Sequence, residues 1–178
     1  MKKYRMHLLI AAGILAGVLV IGAAGQGDAK SEFSRTTIDV GMVVSDVEKA
    51  AKFYTQGLGF KEAGRFDVAA QMAGDTGLTD SQPFQVRVFA LGEEPTATKL
   101  KIMQIPSAKK VDNQYISSSL GVRYLTVFVA DLTKTLARLQ QNGVAPVKEP
   151  YRLGGGSTYL ALVKDPDGNI IELLGPKP

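Results

Sequence analysis

The sequence predicts an α+β fold in which two βαβββ modules form a curved mixed sheet around a cleft, preceded by an N-terminal signal segment. Three observations carry this expectation. From Ile38, apolar and polar residues alternate with the two-residue period of a strand that buries one face. Ser45 stands three residues ahead of Glu48, a capping box that opens a helix. The same order of elements then returns 85 residues later, with Val129-Ala130-Asp131-Leu132 where the first module has Val44-Ser45-Asp46-Val47.

The chain begins with Lys2, Lys3 and Arg5, followed by an apolar or glycine run from Leu8 to Gly25 and a short polar stretch from Gln26 to Lys30. A basic start, an apolar middle and a small-residue end read as an export signal over residues 1–29, cut after Ala24, Gly25 or Ala29. The alternative is a retained anchor, because the run sits at the short end of what spans a bilayer. Either way the domain is expected outside the cytoplasm, periplasmic or extracellular, or membrane-anchored and facing outward. The protein has no cysteine, which excludes disulfides, thiolate metal sites, cysteine nucleophiles and a lipoprotein anchor.

The domain itself is expected over 35–176, with modules at about 36–105 and 121–175 and a polar linker at 106–120. In the first module a strand runs from Ile38 to Val44. A helix follows that places Val47, Ala50, Ala51 and Tyr54 on one face, and Gly57 and Gly59 stop it. Further strands are predicted at Phe60–Asp67, Phe84–Leu91 and Lys99–Ile105, with a short helix near Ala69–Ala73. The second module reads as a strand at Tyr124–Val129, a helix opened by Asp131 with Leu132, Leu136 and Leu139 on one face, and a short strand at Val144–Glu149. Strands at about Ser157–Lys164 and Asn169–Leu174 complete it, joined by the turn Asp165-Pro166-Asp167-Gly168.

Composition removes several function classes. Setting Lys2, Lys3 and Arg5 aside leaves 18 basic residues against 17 acidic ones, so the domain has no electrostatic footprint for nucleic acid. The one histidine, His7, lies in the signal segment, and no G-x-S-x-G turn is present, so a serine–histidine triad is excluded. Gly154-Gly155-Gly156 reads as a hairpin loop rather than a phosphate-binding loop. Asp165 and Asp167 are explained by their turn.

The stretch from Ile38 to Phe60, IDVGMVVSDVEKAAKFYTQGLGF, closely resembles the opening of vicinal-oxygen-chelate proteins. The stretch from Leu162 to Leu173, LVKDPDGNIIEL, is similar to their closing hairpin. This superfamily contains glyoxalase I, bleomycin-resistance proteins, extradiol dioxygenases and methylmalonyl-CoA epimerase. The resemblance covers about Thr36 to Gly175, and it implies the fold without fixing a reaction.

The resemblance also implies four metal-ligand positions, two per module. Asp39 falls at the first, where many members have histidine. Lys101 falls at the second, where glutamate or glutamine is common. Tyr124 falls at the third, usually histidine, and Glu172 at the fourth, where glutamate is retained. Strand parity independently sets all four opposite the apolar face that packs under the helices. A protonated ammonium donates no lone pair and repels a cation, so no metal cofactor of the family type is expected. Instead the Lys101 ammonium is expected between the carboxylates of Asp39 and Glu172, with Tyr124 hydrogen-bonded to one of them. Arg87 is expected as a further ligand contact, with Phe89, Met103, Phe128 and Tyr159 lining the cleft.

Two readings follow. One is an exported, metal-free binding or structural protein that takes a small, anionic molecule, as a monomer or homodimer, and meets a membrane only if its N-terminal segment is retained. The other is an enzyme, lyase-like or dioxygenase-like, that uses a divalent metal or Lys101 and Tyr124, with Glu172 as a further candidate catalytic group.

Overall fold

Two four-stranded mixed sheets, one from each half of the chain, make up the architecture of this computed structural model. The structure describes residues 32–177, so the segment read as an export signal, residues 1–29, lies outside the described residues. Among the described residues no helix is long and apolar enough to cross a membrane.

In the first half β1 (Asp39–Val43) leads into α1 (Val47–Lys52), which widens into a π-helical turn at Phe53–Gly57. Then come β2 (Lys61–Val68), α2 (Ala70–Asp75), β3 (Phe84–Ala90) and β4 (Lys99–Met103). The sheet order is β1-β4-β3-β2, with β1 parallel to β4 and the other pairs antiparallel. The second half repeats the plan with β5 (Tyr124–Phe128), α3 (Leu132–Gln141), β6 (Tyr151–Arg152), β7 (Thr158–Lys164) and β8 (Ile170–Pro176), in the order β5-β8-β7-β6. The parallel β1–β4 and β5–β8 pairs are the ones that need a crossover, and α1 and α3 begin those crossovers.

One core unites the halves. Val44, Phe89, Leu100 and Ile102 of the first sheet meet Val127, Ala161, Val163, Ile171 and Leu173 of the second, with Tyr54 of the first helical segment and Leu132 and Leu139 of α3. The leucine stripe of α3 is the predicted one: Leu132 and Leu139 are fully buried and Leu136 packs against the same core. A smaller cluster lies on the opposite face of the first sheet, where Val68, Ala73 and Val86 are buried beside Val88 and Met103. Thus α2 covers part of the face that the main core does not use.

Polar contacts fasten the two halves together. The Tyr54 hydroxyl donates to Asp165 Oδ2 at 3.0 Å, and Asp165 is itself 5% exposed. Its carboxylate also accepts from the backbone N–H groups of Asp167 (3.0 Å) and Asn169 (2.8 Å) and from Asn169 Nδ2 (2.8 Å). Burial, reinforced by the Asp165 carboxylate, pushes the Tyr54 phenol well above its ordinary value near 10. Arg138 of α3 donates from Nε to Gly57 O (2.8 Å) and from Nη2 to Leu58 O (3.0 Å), satisfying carbonyls where the π-helical turn ends.

Three sequence expectations change. The cap of α1 is Asp46, not Ser45: its extended backbone (φ −146°, ψ 105°) aims Oδ1 at the N–H groups of Glu48 (3.1 Å) and Lys49 (3.0 Å). A carboxylate is a stronger acceptor than a hydroxyl and complements the helix dipole. The Ser45 N–H instead reaches the Asp167 carboxylate across the two halves, at 3.1 and 3.2 Å. Second, Val144–Glu149 is not a strand. Pro146 has no N–H to donate, and Val147 makes one bond, to Leu162 O at 2.7 Å. Pairing begins later, where Tyr151 and Arg152 meet Leu160 and Tyr159. Third, the 106–120 segment, though irregular, is pinned. Arg123 donates to the carbonyls of Asp112, Tyr115 and Ile116, and Lys164 Nζ donates to those of Asn113 (3.0 Å) and Gln114 (3.2 Å).

Candidate functional site

The parallel register of β1 and β4 sets Asp39 beside Lys99 and Gly41 beside Lys101. Because Val40, Met42, Leu100 and Ile102 pack into the main core, alternation turns Asp39 and Lys101 to the other face. There Lys101 Nζ lies 3.0 Å from Asp39 Oδ2. Arg35 Nη2 lies 2.7 Å from Asp39 Oδ1, an ion pair without the alignment of a hydrogen bond. The Asp39 side chain is 15% exposed, whereas those of Lys101 and Arg35 are 39% and 36% exposed. The Lys101 ammonium and then the Arg35 guanidinium hold the Asp39 carboxyl below the ordinary carboxylate range, against the opposing effect of burial. Two cations on one carboxylate leave the cluster net positive. Arg35 went unnoticed in the sequence because it precedes β1, where strand parity gives no direction; its spacing of four from Asp39 was the available signal.

The second pair of expected positions lies on β5 and β8. Thr126 is in register with Glu172, and the Thr126 hydroxyl donates to Glu172 Oε2 at 2.7 Å. Lys101 therefore pairs with Asp39 and not with Glu172. Tyr124, at the start of β5, is half-exposed, and its hydroxyl has no polar partner among the described residues. The structure brings Asp39 and Lys101 together; it does not join them to Tyr124 or Glu172 through any polar contact.

Arg87 departs from expectation. It is in register with the buried Ile102, on the helix side of the sheet. Its guanidinium forms a two-pronged pair with Glu62 (Nε–Oε1 3.0 Å, Nη2–Oε2 2.7 Å) and reaches Glu48 of α1 at 2.8 Å. These carboxylates raise its pKa, and its side chain is 15% exposed. Arg87 ties α1 to β2 and does not face the Asp39–Lys101 cluster. Phe89 and Tyr159 also belong to the main core, and Met103 lies beside α2. Phe128 is open to solvent at 78% exposure. Gly154–Gly156 form the β6–β7 hairpin loop, where Arg152 donates to the carbonyls of Gly155 and Gly156.

The donor set does not fit a divalent metal of the family type. Both Asp39 oxygens face cations, Lys101 is itself one of them, and Glu172 is engaged by a hydroxyl. Among the described residues no three histidine, cysteine, aspartate or glutamate side chains converge. The Asp165 turn offers no cation site either, since both its carboxylate oxygens accept from N–H or O–H groups. A groove of about 420 Å³ lies elsewhere, between the 104–113 segment and the β7–β8 turn. Its carboxylate, Asp167, is engaged by the Ser45 N–H.

The chain is 27% identical over 171 residues to a probable chloroplastic lactoylglutathione lyase of Arabidopsis thaliana, covering 91% of this chain but 44% of that protein. It thus spans less than half the length of that plant relative. It is 25% identical over 134 residues to the lactoylglutathione lyase of Salmonella typhimurium, covering 75% of this chain and 87% of that enzyme. Among solved structures, a glyoxalase family protein from Bacillus cereus superposes with a TM-score of 0.67 at 22% identity, over 84% of this chain and 99% of that one. Glyoxalase I from Zea mays superposes at 0.58 and 23% identity, over 79% and 46%. These likenesses establish the fold. With the family model matching residues 37–173, nearly the whole described domain, the chain belongs to the glyoxalase/bleomycin resistance protein/dioxygenase superfamily.

Proposed function

We propose that this is an exported member of the superfamily that binds a small anionic molecule without a metal, using Lys101 and Arg35 as the anion-recognising groups. The observation that carries the reading is the Arg35–Asp39–Lys101 cluster. Where the family's metal chemistry calls for lone-pair donors, this chain offers two cations on one carboxylate. Asp39 neutralises one of them and orients both. The remaining positive charge, on side chains more than a third exposed, suits a carboxylate or phosphate.

The test is a thermal-shift and calorimetric screen of the purified protein against acetate, pyruvate and inorganic phosphate, alongside zinc, nickel and manganese. One of the anions is expected to stabilise the protein, the metals are not, and Lys101→Ala is expected to abolish the anion response. Stoichiometric metal in the purified protein, or a metal response with none from any anion, refutes the reading. A second reading rests on the relatives named lactoylglutathione lyases, one matched over most of its length. It calls for turnover of the hemithioacetal of methylglyoxal and glutathione, which the same metal-loaded sample checks directly.

A further inference from the structure

The segment between the two modules exposes an unusual amount of apolar surface. Val111 is 50% exposed, Tyr115 64%, Ile116 57%, Leu120 100% and Val122 86%. A solvated connection is ordinarily built from polar residues and glycine. This one is not loose either. Arg123 binds three of its carbonyls and Lys164 two more, so the apolar side chains are presented on a fixed backbone. Lys109 and Lys110 open this segment beside Val111, exposed, with no acidic partner among the described residues.

We infer that the 109–122 segment docks on an anionic membrane surface, with Leu120 and its apolar neighbours entering the headgroup boundary and Lys109 and Lys110 on the lipid phosphates. Two observations select a bilayer as the occupant. The first is composition: a tyrosine among branched aliphatic residues, rimmed by unpaired lysines, is the pattern of an interfacial segment. The second is the sequence ahead of the domain. Read as an export signal, the apolar run Leu8–Gly25 enters or crosses a membrane, and only 13 residues lie between Gly25 and Asp39. Fully extended, that stretch reaches about 50 Å. Strand β1, whose far end borders Lys109 and Lys110, is about 17 Å long. A chain that keeps the run therefore holds this segment within reach of the same bilayer.

The protein contains no tryptophan, which makes a direct test simple. The full chain carrying Leu120→Trp is reconstituted with vesicles of phosphatidylglycerol and phosphatidylethanolamine, with and without brominated acyl chains. Val122→Trp serves as a second reporter and Phe66→Trp, on the exposed strand β2, as the remote control. Docking predicts roughly twofold or greater quenching at 120 and 122 and little at 66, lost when Lys109 and Lys110 are both changed to Glu. No quenching at 120 and 122, or equal quenching at all three positions, overturns the proposal. So does a blue shift at 120 that grows with protein concentration in the absence of quenching, which assigns the patch to a second copy of the chain.

Discussion

Replacing Tyr54 with phenylalanine isolates the contact that joins the two modules. The ring stays: its edge-on packing against Phe53 (5.0 Å) and Phe60 (5.8 Å) needs no hydroxyl. What is lost is one O–H donor to a buried carboxylate that keeps three N–H donors of its own turn. A hydrogen bond to a charged group contributes about 1.5–3 kcal/mol, so Y54F is expected to cost about 2 kcal/mol near neutral pH. For a domain of this size that is a fall in Tm of roughly 4–8 °C. The pH dependence sharpens the expectation. In the folded protein the Tyr54 phenol is raised above its ordinary value, chiefly by burial. The unfolded chain therefore releases this proton first, at about pH 10, and above that point stability falls as pH rises. Y54F lacks this loss. Its deficit should shrink between about pH 9 and 11, because each pH unit past the unfolded pKa removes up to about 1.4 kcal/mol from the wild type alone. Urea unfolding followed by far-UV circular dichroism, for both proteins across that range, reads the gap directly. A deficit below about 0.5 kcal/mol at neutral pH, or one that stays constant into the alkaline range, would show that the hydroxyl is not bonded as described.

Three further outcomes follow from local geometry. Asp46→Ala should lower the unfolding midpoint more than Ser45→Ala, because the aspartate accepts the first N–H groups of α1; the reverse order in a denaturant series would restore the serine cap. Gly175→Ala drives a Cβ into the Val129 carbonyl oxygen, so β8 must move off the end of β5, at a cost of about 1–3 kcal/mol, whereas Gly156→Ala meets open space and serves as the neutral control in the same melts. Asp39 titrates below the ordinary carboxylate range because of Lys101 and then Arg35, so its contribution is present above about pH 4 and is lost as pH falls through the depressed value. Lys101→Ala should move that titration upward, visible in the carbon chemical shift of the Asp39 carboxyl.

Much of this fold is legible in the residues themselves. Strands with one buried face declare their parity, so Asp39 and Lys101 read correctly as sharing a face. The Leu132–Leu139 stripe gives α3 and its buried side. β3 is different. Val86 is buried beside Ala73 of α2, while Phe89 on the opposite face is buried in the main core. Alternation sets Gln85 and Arg87 opposite Phe84, Val86 and Val88, but in a strand covered on both sides it does not say which layer each face meets; here the apolar face meets α2 and Arg87 faces α1. The π-helical turn at Phe53–Gly57 leaves no local signal either. It depends on Arg138 of the other half to satisfy its last carbonyls. The Arg35 contact and the Thr126–Glu172 bond are likewise tertiary choices, made between side chains that each had other options.

The Tyr54–Asp165 bond also bears on how the halves recognise each other. The offset of 85 residues that carries one helix cap, Asp46, onto the other, Asp131, carries Tyr54 onto Leu139. The hydroxyl therefore exists on one side of the joint only, opposite a carboxylate that belongs to the other side. Two first modules brought together would present two hydroxyls and no buried acceptor. Two second modules would bury two carboxylates without that donor. The repeat is thus homologous in outline and heterologous at its seam. A first module pairs productively with a second module, within one chain or between chains, and mispairing of like halves leaves a polar group stranded in the core.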